Sequence, residues 1–313
     1  MMEPLQMRIT SLVCFVFGLV IYFNMTHKNI TPKETHVEES YITPRQPKPK
    51  EVYAEESYEP LQSMDHYPNT FPVRHCGSNQ TYVDFGSGDI LTDEQKANVE
   101  KCFSSYMDVI QDSYDAELID RNIRYTSHSY LTQQSVVIEA GGHRGIDTGE
   151  INSRFRPGYY YVLEPVPSFY NLLVQKFNES KNVVVFNFGI DSSDGTFHIQ
   201  ESSNDAVSIF APRNETGEKI YIVDTTKFFE KISVRSRDVD LITMDCEGCE
   251  YAVLDRLLTT DYIRHFRNIQ FQPHRIDRIC FPLRRYCWYQ ELLRKTHKLS
   301  FQFKFLWENW KQL

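Results

Sequence analysis

Four short stretches carry side chains whose types and spacing suit chemistry. The densest is Met244-Asp245-Cys246-Glu247-Gly248-Cys249-Glu250, with three carboxylates in six residues. Carboxylates this close repel one another, so the site has to supply ligand donors, a cation or solvent. A solvated loop is the plainer alternative. Glu139-Ala140-Gly141-Gly142-His143-Arg144-Gly145 is a shortened glycine loop. Glycines straight after an apolar strand let the backbone pass close to a ligand, and the helix that follows offers unpaired N–H groups. A tight strand–helix turn has the same composition. Glu164-Pro165 stands 25 residues after Glu139, where an acidic side chain accepts from both hydroxyls of a ribose. His274, in Phe271-Gln272-Pro273-His274, closes a fourth apolar run and is either a proton carrier or a structurally satisfied histidine.

These stretches need strands to present them. Apolar runs predict strands over Ser135–Ala140, Tyr159–Glu164, Val183–Phe188, Asp240–Asp245 and Asn268–Gln272, with shorter ones at Thr196–Gln200 and Tyr221–Val223. Helical spacing is expected over Ser168–Phe177, Tyr251–Leu258 and Trp288–Lys298, and Ser300–Phe305 alternates as an outer antiparallel strand would. Upstream, Thr92-Asp93-Glu94-Gln95 predicts a capped helix start, continued by Val99, Cys102, Phe103, Tyr106 and Ile110. Strands and helices in alternation predict an α/β fold: a mostly parallel sheet with helices on both faces, its ligand at the carboxyl ends of the strands. The first loop lacks the spacing of G-x-G-x-x-G, which counts against a nicotinamide enzyme.

In order along the chain, EAGGHRG (139–145), VLEPVPSFYNLL (162–173), NFGIDSSDG (187–195), VDLITMDCEGCEYAVL (239–254) and NIQFQPH (268–274) resemble the FkbM family of S-adenosylmethionine-dependent methyltransferases. The resemblance covers about residues 135 to 275, and the D-x-E-G-x-E element is its most specific part. It implies a Rossmann-like methyltransferase fold of seven strands with an antiparallel final hairpin, and O-methylation of hydroxyls on sugars, polyketides or related metabolites. Position by position, it implies that Glu139, Gly141 and Gly145 cradle the methionine portion of S-adenosylmethionine and Glu164 the ribose. It sets Asn187 and Gly189 near the adenine, and Asp245, Glu247 and Glu250 in the acidic motif, with Asp245 also beside the cofactor. Glu139 stands where the family usually has Asp, and Gly142-His143 where Ala-Asn is common. The sulfonium methyl is already activated, so the protein mainly aligns an acceptor oxygen and removes its proton. Asp245 is the first expectation for the base and His274 the second, with Glu247 holding the acceptor or the cofactor's ammonium. No metal is called for. A catalytically inactive binding protein on the same fold is the alternative.

Composition bounds the rest. At 41% hydrophobic and 14% aromatic residues the chain can build a core, and a net charge of -8 argues against a nucleic-acid partner bound by broad phosphate neutralisation. Ile9–Phe23 is a fifteen-residue run without charge, about 22 Å of helix against a bilayer core of about 30 Å. An uncleaved signal anchor over residues 1–25 is expected, with a cleaved signal or a core helix as alternatives. Residues 26–75 hold seven of the fourteen prolines and read as a stem, followed by a helical extension over 76–134 and the methyltransferase domain over 135–313. Sequons at Asn24, Asn29, Asn79, Asn178 and Asn214, and six cysteines beyond Cys14, point to a glycosylated lumenal part anchored in the Golgi or endoplasmic reticulum membrane, or secreted. A lumenal site would need its methyl donor delivered across the membrane. The expected pairs are Cys76 with Cys102 and Cys280 with Cys287, against six free thiols. Cys246 and Cys249 read as a disulfide, a weak metal half-site or two packed thiols. The aromatic- and Arg-rich segment Cys280–Leu313 suits either a cap over a glycan acceptor pocket or ordinary core.

Overall fold

The computed structural model of the chain describes residues 71–76, 80–199, 217–276 and 278–313. The expected signal anchor, the stem as far as residue 70, and the sequons at Asn24, Asn29, Asn79 and Asn214 lie outside the described residues. Among the described residues, no helix is long and apolar enough to cross a membrane.

A hairpin of β1 (Val73–Cys76) and β2 (Gln80–Val83) leads into helices α1 (Asp93–Ser104), α2 (Tyr106–Ile119) and α3 (Ile123–Thr126). Strand β1 thus starts ahead of Cys76, within the residues that the sequence reads as the end of the stem. Then come β3 (Val136–Ala140), α4 (Ile146–Phe155), β4 (Tyr159–Leu163), α5 (Pro167–Lys176), β5 (Val183–Phe186), β6 (Gly189–Asp191), β7 (Gly195–Ile199) and β8 (Glu218–Asp224). The chain continues through α6 (Thr225–Lys231), β9 (Leu241–Met244), α7 (Cys249–Leu258), β10 (Asn268–Phe271), α8 (Pro282–Leu293), β11 (His297–Phe303) and β12 (Trp307–Gln312). Thr92 caps α1 as expected: its hydroxyl accepts from Gln95 N at 3.2 Å, and Gln95 Oε1 accepts from Thr92 N at 3.0 Å. The helical spacing that runs on to Ile110 is divided at Ser105 into α1 and α2.

The main sheet has seven strands in the order β11-β12-β10-β9-β3-β4-β5. Its middle strands are parallel and β12 runs antiparallel to both neighbours. Every residue of β3, β9 and β10 is buried, as strands covered on both faces must be. Val137, Val162 and Leu241 pack toward α4 and α5 on one face, whereas Val136, Ile138, Ile242 and Phe271 pack toward α6, α7 and α8 on the other. A separate three-stranded sheet, β6-β8-β7, forms between β5 and α6.

Three disulfides cross the described residues, and they correct the expected pairing. Cys76 bonds Cys280 and Cys102 bonds Cys287, with Cα atoms 6.1 and 5.8 Å apart, while Cys246 bonds Cys249 at 5.4 Å. Partners are chosen by packing rather than chain order: α1 lies on α8, which brings Cys102 to Cys287 across 185 residues. The Cys246–Cys249 bond also excludes the metal half-site reading of that pair.

Candidate active site

Strand register builds the site. Ala140 pairs with Leu163 on one side and Met244 on the other, and Met244 pairs with Phe271. The residues that follow, Gly141, Glu164, Asp245 and Gln272, therefore leave the sheet along one edge. The chain runs outward from β3 to β5 and then returns to β9, so this edge lies at the switch in strand order, where α/β sheets bind ligands. A cavity of about 390 Å³ opens there, within the usual range of roughly 300–1,000 Å³ for small-ligand sites.

The glycine loop is shaped by close approach. Gly141 has φ +93°, and a Cβ on it would lie 2.0 Å from the backbone oxygen of Asp245. Both Gly141 N and Gly142 N donate to Leu163 O, at 3.0 and 3.1 Å, tying the loop to β4. Gly145 caps α4 with φ +68°, and Lys176 Nζ donates to the carbonyl oxygens of Arg144 and Gly145 at 2.9 and 2.7 Å.

The cavity has two chemically different halves. Its apolar half is walled by Val166, Phe169, Ile190, Ile220 and Ile222, the last three from the smaller sheet. Its other half is acidic, with Glu139, Asp147, Asp245 and Glu247 lining it and Glu164 at the junction. Glu139 is buried and its Oε2 accepts from Tyr160 OH at 2.6 Å and Thr148 Oγ1 at 2.9 Å. Burial, with Asp147 close by, pushes Glu139 up to about 8. Glu164 accepts from His143 N at 2.6 Å and Val166 N at 2.8 Å, yet burial still pushes it up to about 7. Burial also raises Asp147 to about 6 against the opposing pull of Arg124. So many buried acids favour a positively charged ligand, which would let them ionise.

The acidic motif finds its compensating cation in His274. Its Nε2 lies 3.3 Å from Asp245 and 3.5 Å from Glu247, and its Nδ1 lies 3.2 Å from Glu250. Glu250 is fully buried and also accepts from His274 N at 2.9 Å and Gly248 N at 3.0 Å. Burial opposes the charge on His274, but Glu250, Asp245 and Glu247 outweigh it and hold the imidazole at about 11. A ring that carries its proton at neutral pH suits holding the carboxylates in place better than the role of base expected for His274. Glu247 is raised mainly by burial, an effect that His274 opposes. Asp245 is more open, with 36% of its side chain exposed, and it lines the cavity.

Of the residues expected at the cofactor, Glu139, Gly141, Gly145, Glu164, Asn187, Gly189 and Asp245, the structure gathers most at this edge. Glu139, Gly141, Glu164, Gly189 and Asp245 line the cavity, and Gly145 shapes the loop behind it. Asn187 does not line it: its Nδ2 donates to the carbonyl oxygens of Glu164 and Pro165 at 3.1 and 3.2 Å, bracing the backbone that carries Glu164. Two polar residues were not legible. Asp147 reads in sequence as an ordinary acid in a helix's first turn, and Arg124 of α3 carries no local motif at all. The segment Cys280–Leu313 is core: Trp288, Trp307, Trp310 and Tyr286 are buried, and Arg285 pairs with Asp255 at 2.8 Å. Among the described residues, no group of three or more His, Cys, Asp or Glu side chains is arranged to hold a metal ion.

Residues 139–280 match the methyltransferase FkbM domain. No curated protein matches the chain. Similar solved structures include the 23S rRNA methyltransferase ErmE, 15% identical with TM-score 0.27 over 47% of this chain and 43% of that one. The precorrin-6y C5,15-methyltransferase from Geobacter metallireducens GS-15 is 12% identical, with TM-score 0.35 over 62% of this chain and 86% of that one. An O-methyltransferase from Bacillus cereus in complex with SAH is 11% identical, with TM-score 0.31 over 71% of this chain and 93% of that one.

Proposed function

We propose, from the match of residues 139–280 to the methyltransferase FkbM domain, that the protein transfers a methyl group from S-adenosylmethionine to a hydroxyl of a sugar or related metabolite in the secretory pathway. One observation carries the cofactor reading: a single cavity joins an apolar slot to a cluster of buried carboxylates, with Glu164 at the junction. A nucleoside that bears a cationic amino-acid chain has that same division. The adenine suits Ile190, Ile220 and Ile222, the ribose hydroxyls suit Glu164, and the ammonium suits Glu139 and Asp147. When bound, this cofactor supplies a methyl group already activated on a sulfonium.

The chain's own work is positioning and proton removal. Asp245 faces the cavity and is the residue open enough to take the acceptor's hydroxyl proton. His274 faces Asp245 and Glu247 through Nε2, while its Nδ1 is anchored on the buried Glu250. The closed Cys246–Cys249 ring fixes the backbone between them. The open carboxylate of Asp245 beside the cavity supports a hydroxyl acceptor, and the secretory setting is supported by three disulfides and an exposed sequon at Asn178.

The test has two stages. Calorimetric titration with S-adenosylhomocysteine should show one site per chain, and incubation with S-adenosylmethionine and a glycan panel should yield a product heavier by one methylene. Absence of binding would remove the methyl-transfer reading. Binding with no product on any sugar would leave a cofactor-binding protein of another acceptor class. A glycosidase-sensitive mobility shift, lost in Asn178→Gln together with the other sequon variants, tests the lumenal placement.

A further inference from the structure

We infer that Arg124 is the carboxylate-binding residue of this cavity, holding the amino-acid end of the cofactor. The inference rests on the methyl-transfer reading above and goes beyond the family match, since Arg124 lies in α3, outside residues 139–280.

Arg124 lines the cavity beside Glu139, Asp147 and Asp245. Its guanidinium lies 4.7 Å from the ring centroids of both Tyr125 and Trp307. Two aromatic faces hold its plane and leave its hydrogen-bonding edge as the part that meets a ligand. Ion-pair distances to Asp147 and Asp245 are 3.5 and 3.9 Å, longer than a hydrogen bond between such groups. Its Nη2 donates to Tyr125 OH, and its Nε has no hydrogen-bond partner among the described residues. A guanidinium has five N–H donors, so donor capacity remains.

The charges say what fills it. An α-amino-acid group is a zwitterion. Its ammonium is drawn to Glu139, Asp147 and Asp245, but its carboxylate would be repelled by the same acids unless a cation stood among them. Arg124 is that cation. His274 is engaged by three carboxylates and does not line the cavity, and Arg144 sits by Phe169 at the apolar half. Arg124 would thus set which way round the amino-acid end lies.

The test compares two ligands on the full chain by calorimetry: S-adenosylhomocysteine and S-adenosyl-3-thiopropylamine, which lacks only the carboxylate. The unaltered protein should bind the first roughly tenfold to a hundredfold more tightly, as expected for hydrogen bonds to a charged group. Arg124→Met should abolish that ratio by weakening the first ligand while leaving the second within about twofold. Arg124→Lys, which keeps the charge but not the fork, should give an intermediate ratio and serves if the Met variant does not fold. Equal losses for both ligands, or an unchanged ratio in the Lys variant, would overturn the inference while leaving the methyl-transfer reading intact. Failure of the unaltered protein to bind either ligand would remove both.

Discussion

Protonation divides the roles of the acidic side chains. His274 lies within 3.5 Å of Asp245, Glu247 and Glu250, whose charges favour its protonated form, and in the mechanism proposed above Asp245 takes the acceptor's proton. Asp245→Asn keeps the size of the group and removes the basicity. It should lower methyl transfer by about 10²–10⁴-fold and change S-adenosylhomocysteine affinity by less than about tenfold; turnover that survives the change would exclude Asp245 as the base. The buried acids make a second prediction. Glu139, Glu164 and Asp147 sit at about 8, 7 and 6, above their ordinary values of 4.5, 4.5 and 3.8. The folded protein therefore retains protons that the unfolded chain has lost. Their contribution to stability is whole below pH about 4 and is lost as pH rises toward about 8. An ammonium-bearing ligand acts in the opposite sense, because it binds the ionised acids and expels their protons. S-adenosylhomocysteine affinity should rise roughly tenfold between pH 6 and 8. Calorimetry in buffers of different ionisation enthalpy should register proton release, and a flat profile would count against carboxylates as the ammonium's partners.

Elements earn their place by what they bring to the sheet edge. Gly141 joins β3 to the cofactor loop at φ +93°, with the backbone oxygen of Asp245 where a Cβ would stand. Gly141→Ala must push the ends of β3 and β9 apart. It should cost about 2–4 kcal/mol in chemical denaturation, and should weaken S-adenosylhomocysteine binding by more than Gly88→Ala, a positive-φ glycine with open space around it. Much of this scaffold is legible in sequence because parallel strands buried on both faces are continuous apolar runs, as at Val136–Ala140 and Leu241–Met244. β12 is not legible for the opposite reason. Trp307-Glu308-Asn309-Trp310-Lys311-Gln312 looks polar, yet Glu308 is buried because Tyr286, Gln290, Gln302 and Trp310 all donate to it. β6 was hidden too: Gly189–Asp191 is three residues long and begins with glycine, so it reads as a loop. At the site, Glu139, Glu164 and Asp245 follow strands directly and are legible from local order. Arg124 reaches Asp245 across 121 residues of chain, and no local pattern encodes such a meeting.

At the scale of the whole molecule, covalent staples tie the N-terminal extension to the body of the sheet. Cys76–Cys280 fastens the β1–β2 hairpin to the loop before α8, and Cys102–Cys287 fastens α1 to α8 itself. They close loops of 204 and 185 residues, whereas Cys246–Cys249 closes a loop of three. In the chain-entropy account, a long loop restricts the unfolded ensemble far more than a short one, and each long bridge is worth about 3–5 kcal/mol against about 2 kcal/mol for the short one. The two long loops overlap, so their effects will not add. The division of labour follows: the long bridges stabilise the fold, while the short one acts on the loop that carries Glu247. Cys102→Ala with Cys287→Ala should therefore lower unfolding free energy by several times the measurement error and leave S-adenosylhomocysteine affinity of the still-folded protein nearly unchanged. Cys246→Ser with Cys249→Ser should do the reverse, with a small stability change and a clear loss of methyl transfer. Peptide mapping without reduction decides the premise of both: recovery of Cys76 joined to Cys102 would dissolve the argument, because that pair would leave α1 and α8 without their covalent link.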